Sequence, residues 1–337
     1  MSDATMMTKP FHLAIVGGGG ISRAHVNAAR ASNESIVIKA VVDPAETARK
    51  AVCDATGCRG FPNIEELLAD GGDDHSIDGL VICTPPSVRL PIVRAALDRG
   101  VAVLAEKPIA HTLADASKLV QLAEKYSPTT AVVGYCHRFV PAIELMKRMI
   151  DEGDLGIILR FENTFACSIP GMQDKWMSDP AVSGGGSFID TGCHSLDLFY
   201  YLFGEGKVVG ATFHKEWPNR GESNATVLLR GVQKFAGVAG VIQSGWLEPA
   251  RFVVTVVGTK GLLTYDYDKP TDLLHVTSDG SARVLAVESH EIRFDRQLAA
   301  FADRAGGGGT GSQMADFAQA AKVAEMVDSI LKSAVVI

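Results

Sequence analysis

The chain has 337 residues, 47% of them apolar and 21% charged, and a net charge of −7 at neutral pH. That length is comfortable for two domains, and the composition suits a globular protein with a real core. The acidic balance argues against nucleic acid, which wants a basic patch. No apolar run approaches the ~20 residues of a membrane span, so neither nucleic acid nor a membrane is expected as a partner.

The first ten residues, MSDATMMTKP, lack the basic flank and apolar core of a signal peptide. They are expected to be a frayed leader. Six scattered cysteines with no CxxC pair read as reduced thiols in a cytoplasmic protein. From there to Tyr135, short apolar runs alternate with helical patterns. FHLAIVG, SIVIKAVVD, IDGLVICTPP, VAVLAEKP and TAVVGY read as strands. Helices are expected at Ile21–Ala31, from Pro44, at Val88–Asp98 with Gly100 closing it, and at Leu113–Tyr126. Parallel strands joined by helices make a doubly wound α/β sheet.

After Tyr135 the pattern changes. A helix is expected at Pro141–Glu152, and then GIILRFENTFA, VVGATFHKEW, NATVLLRG, FAGVAGVIQSGW, RFVVTVVGTKGLLTYDY and LLHVTS read as strands joined by short turns. That is a largely antiparallel sheet, with a hairpin at Gly258 and Gly261. A last helix is expected from about Met314 to Lys332, after a short glycine-rich loop at 306–311. Two domains follow, 1–135 and 136–337, with a cleft between them.

Three stretches carry chemistry. In AIVGGGGISRAH, glycines follow the first strand and precede a helix. Gly17 permits the tight turn and Gly19 the approach of a pyrophosphate, with Ser22 as a small third residue; the helix start offers free N–H groups. Asp43 ends the second strand, 26 residues after Gly17. It can hold the ribose hydroxyls of NAD or cap the next helix. Arg49 is the nearby cation that would admit NADP. In VLAEKP, Glu106, Lys107 and Pro108 stand at a strand's C-terminal end, where open α/β sheets bind ligands. Lys107 can stabilise a developing alkoxide, or simply pair with Glu106 at the surface.

The third stretch is GGGSFIDTGCH, Gly184 to His194. A helix from about Ser187 would put Asp190, His194 and Asp197 at i, i+4 and i+7, so that carboxylate and imidazole touch. Contact with Asp190 would make the ring more basic, and a nearby Lys107 would push the other way. Three readings compete: a structural helix start, a metal site with His137 as third ligand, and an acid/base pair with the imidazole poised near neutrality. The glycines would let a flat ring lie close to the backbone.

These segments, with VVDP, CTPPSVR, GYCHRFVPA and VVGTKGLL in order, resemble the glucose–fructose oxidoreductase/inositol dehydrogenase family, called Gfo/Idh/MocA, over residues 11 to about 265. The resemblance implies an α/β protein with an N-terminal Rossmann domain. Its C-terminal α+β domain would have an open, mostly antiparallel sheet, with the last helix packing back on the first domain. It implies hydride transfer between NAD, or NADP, and a CH–OH group of a sugar, cyclitol or sugar derivative. Lys107, Asp190 and His194 would be the catalytic set, with Asp190 orienting His194. Cofactor contacts would come from Gly17, Gly18, Gly19, Gly20, Ile21, Asp43, Thr84, Pro85, Pro86, Glu106, Lys107 and Arg138. His137 and Trp176 would join the catalytic set at the substrate, though packing is an equal reading for the tryptophan. No resident metal is expected. A homo-oligomer, dimer or tetramer, would form through the C-terminal sheet. Two departures stand out: Arg89 occupies a position where the family often has histidine, and GGGGTGSQMADFAQA lacks the usual acidic–glycine pattern. The rival readings are transient redox with NAD regenerated, a non-catalytic nucleotide-binding sensor and, more distantly, a zinc hydrolase.

Overall fold

The computed structural model describes residues 9–70, 76–126, 130–308 and 313–337. The expected leader up to residue 8 and residues 309–311 of the glycine-rich loop lie outside the described residues. The first domain contains β1 (Phe11–Val16), α1 (Ser22–Ala31), β2 (Ile36–Val42), α2 (Glu46–Thr56), β3 (Arg59–Phe61), α3 (Ile64–Ala69), β4 (Gly79–Ile82), α4 (Arg89–Leu97), β5 (Ala102–Ala105), α5 (Leu113–Tyr126) and β6 (Ala131–Val133). Leu13–Val16 of β1, Leu80–Ile82 of β4 and all of β5 are runs of Leu, Ile, Val and Ala that are buried, as parallel strands covered by helices on both faces must be. The sheet order is β6-β5-β4-β1-β2-β3, all parallel. The order reverses beside β1, and that crevice is where such sheets bind ligands.

The second domain follows with α6 (Pro141–Asp151), β7 (Ile158–Ala166), the short α7 (Pro180–Ser183), α8 (Cys193–Phe203), β8 (Gly206–His214), β9 (Asn224–Gly231), β10 (Ala239–Gly245), β11 (Arg251–Gly258), β12 (Gly261–Asp266), β13 (Asp272–Thr277) and β14 (Ala282–Ala286). Its sheet is antiparallel except where β7 pairs with β10 and where β8 pairs with a C-terminal strand. One face packs on α8 through Phe161, Phe199 and Phe203.

The chain then returns to the first domain. α9 (Arg293–Ala305) packs on α1, with Phe301 edge-on to Phe11 at 5.7 Å. β15 (Ala315–Asp316) adds an antiparallel strand beside β6. α10 (Phe317–Ser333) lies against α5, and β16 (Val335–Val336) closes the second sheet. β15 thus extends the first sheet, while α10 packs on α5 of the first domain and on α8 and β8 of the second. Among the described residues no helix is long and apolar enough to cross a membrane.

Candidate active site

The glycine loop is shaped by what its neighbours leave free. Gly17 has φ +99°, and a Cβ there would lie 3.0 Å from the Cys83 carbonyl carbon. A Cβ on Gly18 would sit 2.8 Å from the Ala48 oxygen, whereas Gly19 and Gly20 face open space. The first two glycines therefore pack the turn, and the last two leave room for a ligand. The buried Ser22 hydroxyl donates to Gly19 O at 2.6 Å. Asp43 accepts from Gly18 N and Ala45 N, each at 2.8 Å, so it ties the loop to the end of β2. The expected cap role does not hold in that form: the helix starts later, and its N-cap Ala45 has no side-chain cap. Arg49 donates to the carbonyls of Asp43 and Pro44.

From this loop a cleft of about 960 Å³ runs past Asp43 and Thr84–Pro86 to Lys107, Trp176 and Asp190. Gly17, Gly19, Gly20, Ile21, Pro85 and Glu106 also line it. Its open glycines, helix start and terminal carboxylate fit an extended dinucleotide. Four of the residues expected at the cofactor or substrate, Gly18, His137, Arg138 and His194, are not among those that line it. Arg138 is buried against Asp197 (2.6 Å), with Gln319 Oε1 and Gln313 O as further acceptors. That pair also takes Asp197 away from the face it was expected to share with Asp190.

At the end of β5 the turn carrying Lys107 is gripped from below. Arg89, almost fully buried, donates to the carbonyls of Thr84, Glu106, Lys107 and Pro108. Burial pulls its pKa down to about 10, which still leaves it charged. Glu106 turns inward to His25 Nε2 at 2.8 Å. Burial would raise its pKa, but His25, Lys107 and Arg89 together lower it. The Lys107–Pro108 peptide is cis. Lys107 Nζ donates to Asp190 O at 2.6 Å and to Asp190 Oδ1 at 3.2 Å. Burial works to neutralise this amine, yet the Asp190 charge and hydrogen bond raise its pKa, so it stays an ammonium.

The facing side is built by GGGSFIDTGCH. A single π-helical turn, Phe188–Gly192, precedes α8. Such a turn advances fewer degrees per residue than an α-helix, which spoils the i, i+4 alignment of Asp190 with His194. Asp190 instead bonds Lys107 and, through Oδ2, Trp246 Nε1 at 3.2 Å; among the described residues it makes no hydrogen bond to His194. The expected orientation of His194 by Asp190 is therefore replaced by an orientation of Lys107. Two of the three glycines, Gly184 and Gly186, are also used otherwise than expected. A Cβ on Gly184 would meet His111 O at 2.3 Å and one on Gly186 would meet Glu222 O at 2.1 Å, so they admit neighbouring backbone. Buried Glu222 accepts from Gly186 N (3.1 Å) and Phe188 N (2.8 Å).

His194 Nδ1 is buried without a partner, and its ring meets His137 edge-on at 4.5 Å. His137 Nδ1 is 2.6 Å from Tyr267 Oη. Burial, then His137, Lys107 and Arg293, hold His194 well below the ordinary imidazole value, so the ring is neutral rather than poised near neutrality. Ligand atoms of Cys136, His137 and His194 lie within 4.8 Å of one another. Two fixed cations, Lys107 and Arg293, act on the same imidazoles, which disfavours a cation among them. Trp176, 45% exposed, lines the cleft instead of the core. The sequence reading missed His25, Glu222, Trp246, Tyr267 and Arg293. The signal for the last was a helical stripe of Phe294, Leu298 and Phe301 in α9.

Residues 11–135 match an oxidoreductase family with an NAD-binding Rossmann fold, and residues 143–264 match the GFO/IDH/MocA C-terminal domain. The rhizopine catabolism protein MocA of Rhizobium meliloti is 30% identical over 200 residues, 58% of either chain and so under two thirds of that protein. The levoglucosan dehydrogenase of Pseudarthrobacter phenanthrenivorans is 26% identical over 78% of this chain and 75% of its own. A levoglucosan dehydrogenase structure with NADH and levoglucosan superposes with a TM-score of 0.85 at 20% identity, covering 96% of this chain and 97% of that one. At that identity it shows the fold.

Proposed function

This chain belongs to the Gfo/Idh/MocA family of NAD(P)-dependent oxidoreductases, and we propose that it passes a hydride reversibly from a CH–OH group of a sugar, cyclitol or sugar derivative to a bound nicotinamide dinucleotide, with Lys107, Asp190 and His194 handling the proton and the charge on oxygen. The observation that carries this is the Lys107–Asp190 contact, which joins a β5 strand end to the second domain at the inner end of the cleft.

The nicotinamide ring, when bound, supplies the hydride acceptor. The chain supplies the rest. Lys107, held as a cation by Asp190, donates to the reacting oxygen and stabilises its charge. Asp190, fixed by Trp246, sets where that ammonium points. His194 takes the hydroxyl proton on Nε2, the nitrogen opposite its buried Nδ1. Asp43 stands where ribose hydroxyls would donate to its carboxylate, and Arg49 is committed to backbone carbonyls and so offers no fork to a 2′-phosphate; this supports NAD over NADP.

The same reading includes a homo-oligomer through the second sheet, whose outward Val209, Leu228, Leu159 and Val284 are exposed. Six free thiols suit the reducing cytoplasm. The test is a panel of sugars, cyclitols and sugar acids with NAD and NADP in parallel, following the absorbance of the reduced nicotinamide. Reduction of NAD by at least one member is expected. Tight NADH binding with no turnover of any member would favour the sensor reading instead.

A further inference from the structure

Arg89 holds the carbonyls of the Lys107 turn, but the backbone N–H of Lys107 goes elsewhere. It donates to Glu106 Oε2 at 3.2 Å. The other carboxylate oxygen, Oε1, lies 2.8 Å from His25 Nε2, and against a carboxylate that ring nitrogen is the donor. Among the described residues His25 is the one side chain that hydrogen-bonds the Glu106 carboxylate. His25 is fully buried, and Glu106 is 4% exposed at the wall of the cleft.

His25 is the fourth residue of α1, one turn in from the glycine loop. At the start of the same helix the Ser22 hydroxyl is bonded to Gly19 O. Phe294 of α9 meets the imidazole edge-on at 5.5 Å, and the ring's Nδ1 is buried with no partner. A site that only had to be filled would be filled more stably by an apolar side chain, which leaves no nitrogen unmatched. The contacts therefore run without a gap from the glycine loop through α1, His25 and Glu106 to the backbone of Lys107.

We propose that His25 is a positioning residue for Lys107, acting through Glu106, and that it ties the start of α1, where a pyrophosphate would sit, to the turn that carries the amine. Its part in turnover rests on the dehydrogenase reading above; the mechanical link does not. Without the imidazole, the buried carboxylate loses its side-chain donor and takes up a proton more readily. Burial raises the Glu106 pKa, and His25 comes first among the neighbours that lower it, ahead of Lys107 and Arg89. The thiols of Cys83, Cys136 and Cys193 also face Glu106, and burial pushes each of them up, so they stay neutral. In the absence of His25, Lys107 and Arg89 alone oppose protonation.

The experiment follows hydrogen exchange at the Lys107 amide, resolved by NMR or by fragmentation mass spectrometry, in wild type, His25→Leu, His25→Gln and His25→Asn, with and without ADP-ribose. ADP-ribose carries the pyrophosphate but no nicotinamide, so it can fill the glycine loop without placing that ring beside Lys107. Glutamine sets a donor as many bonds from the backbone as the imidazole Nε2, and asparagine falls one bond short. Expected is Lys107 exchange about 10-fold faster in His25→Leu and His25→Asn, near wild type in His25→Gln, and unchanged at Val103 and Leu104 of β5. ADP-ribose should slow the Lys107 amide in wild type and His25→Gln but not in the other two. With the best sugar of the panel above, kcat should fall about 10-fold in His25→Leu and His25→Asn, with KM for NAD changed far less. The acid limb of kcat/KM should move to higher pH in His25→Leu and return in His25→Gln. Should His25→Leu fail to fold, the glutamine and asparagine variants carry the comparison. Equal acceleration at Lys107 and throughout β5, with wild-type kcat where the variants are folded, would reduce His25 to a packing residue and overturn the proposal. So would Lys107 exchange unaltered in every variant. If no sugar is oxidised but the exchange pattern appears, the dehydrogenase reading fails and the link stands. If oxidation proceeds and Lys107 exchange ignores the reach of the donor, the link alone fails.

Discussion

The two walls of the site are fastened by opposite charges. On the nucleotide-binding side a buried cation, Arg89, gathers the carbonyls of Thr84, Glu106, Lys107 and Pro108. On the other side a buried anion, Glu222, gathers the amides of Gly186 and Phe188. The difference follows from chain direction. At the end of a parallel strand the turn presents carbonyl oxygens, which need donors; at the start of a helix it presents N–H groups, which need acceptors. Each wall thus spends a charged residue remote in sequence on orphaned backbone, and each holds one half of the Lys107–Asp190 contact. Neither fastening residue touches that contact itself.

The comparison breaks first if the contact it serves does no chemistry. Lys107→Met removes the ammonium and leaves both fastenings in place. Turnover should fall by ~10³-fold, equivalent to about 4 kcal/mol of transition-state stabilisation, while NADH binding, followed by fluorescence, persists. Near-normal turnover would mean that the two walls hold something other than a catalytic group.

Next in size is the cationic fastening. Arg89→Met leaves several buried carbonyls without a donor. The expected loss is about 3 kcal/mol in chemical unfolding. Activity at temperatures where the variant is folded should fall as well, because the turn bearing Lys107 is released. Unchanged stability would show that those carbonyls find other partners.

What was legible in the sequence maps onto these walls unevenly. The strand ends, the glycine loop and Lys107 were readable because their signals are local: apolar runs of four to seven residues, glycines and a terminal carboxylate in fixed order. Arg89 looked like a departure at a helix start, and nothing local says that its side chain reaches back to β5. The π turn was illegible because a 3.6-residue period is the default reading, and one extra residue in the turn moves Asp190 from His194 to Lys107 and Trp246. Trp246 and Glu222 join the site from β10 and the approach to β9, a separation that spacing rules do not cross. α9 carried a readable stripe, yet its role depends on tertiary placement, with Phe294 edge-on to His25 at 5.5 Å and Arg293 donating to His290 O.

A smaller effect separates the two walls by pH. His194 belongs to the anion-fastened side, and its pKa is held well below 6.5, first by burial and then by neighbouring positive groups. A base with a depressed pKa stays unprotonated as pH falls through 6.5. The rate of alcohol oxidation should therefore be flat through that value and decline only below it. A half-loss of kcat centred at or above 6.5 would place the base elsewhere.

The finest contrast lies in the fastenings themselves. Glu222→Gln keeps an oxygen that can accept from both amides and removes a buried charge, so stability at neutral pH should change by no more than about 1 kcal/mol. Its pH dependence is the sharper readout. Burial raises the Glu222 pKa above its ordinary 4.5, with the backbone amides opposing. The folded state then holds the proton more tightly than the unfolded state. Stability from this group is full below 4.5 and is lost as pH rises through the folded value. Glutamine does not titrate, so wild type should lose stability relative to Glu222→Gln as pH rises from 4.5 toward neutrality. Arg89, still charged with a pKa of about 10, has no such window, and the Arg89→Met gap should stay level over the same range. Parallel unfolding series at several pH values would show one difference that shifts against wild type as pH rises and one that is constant; two constant differences would mean that the carboxylate at Gly186 and Phe188 is not buried as a charge.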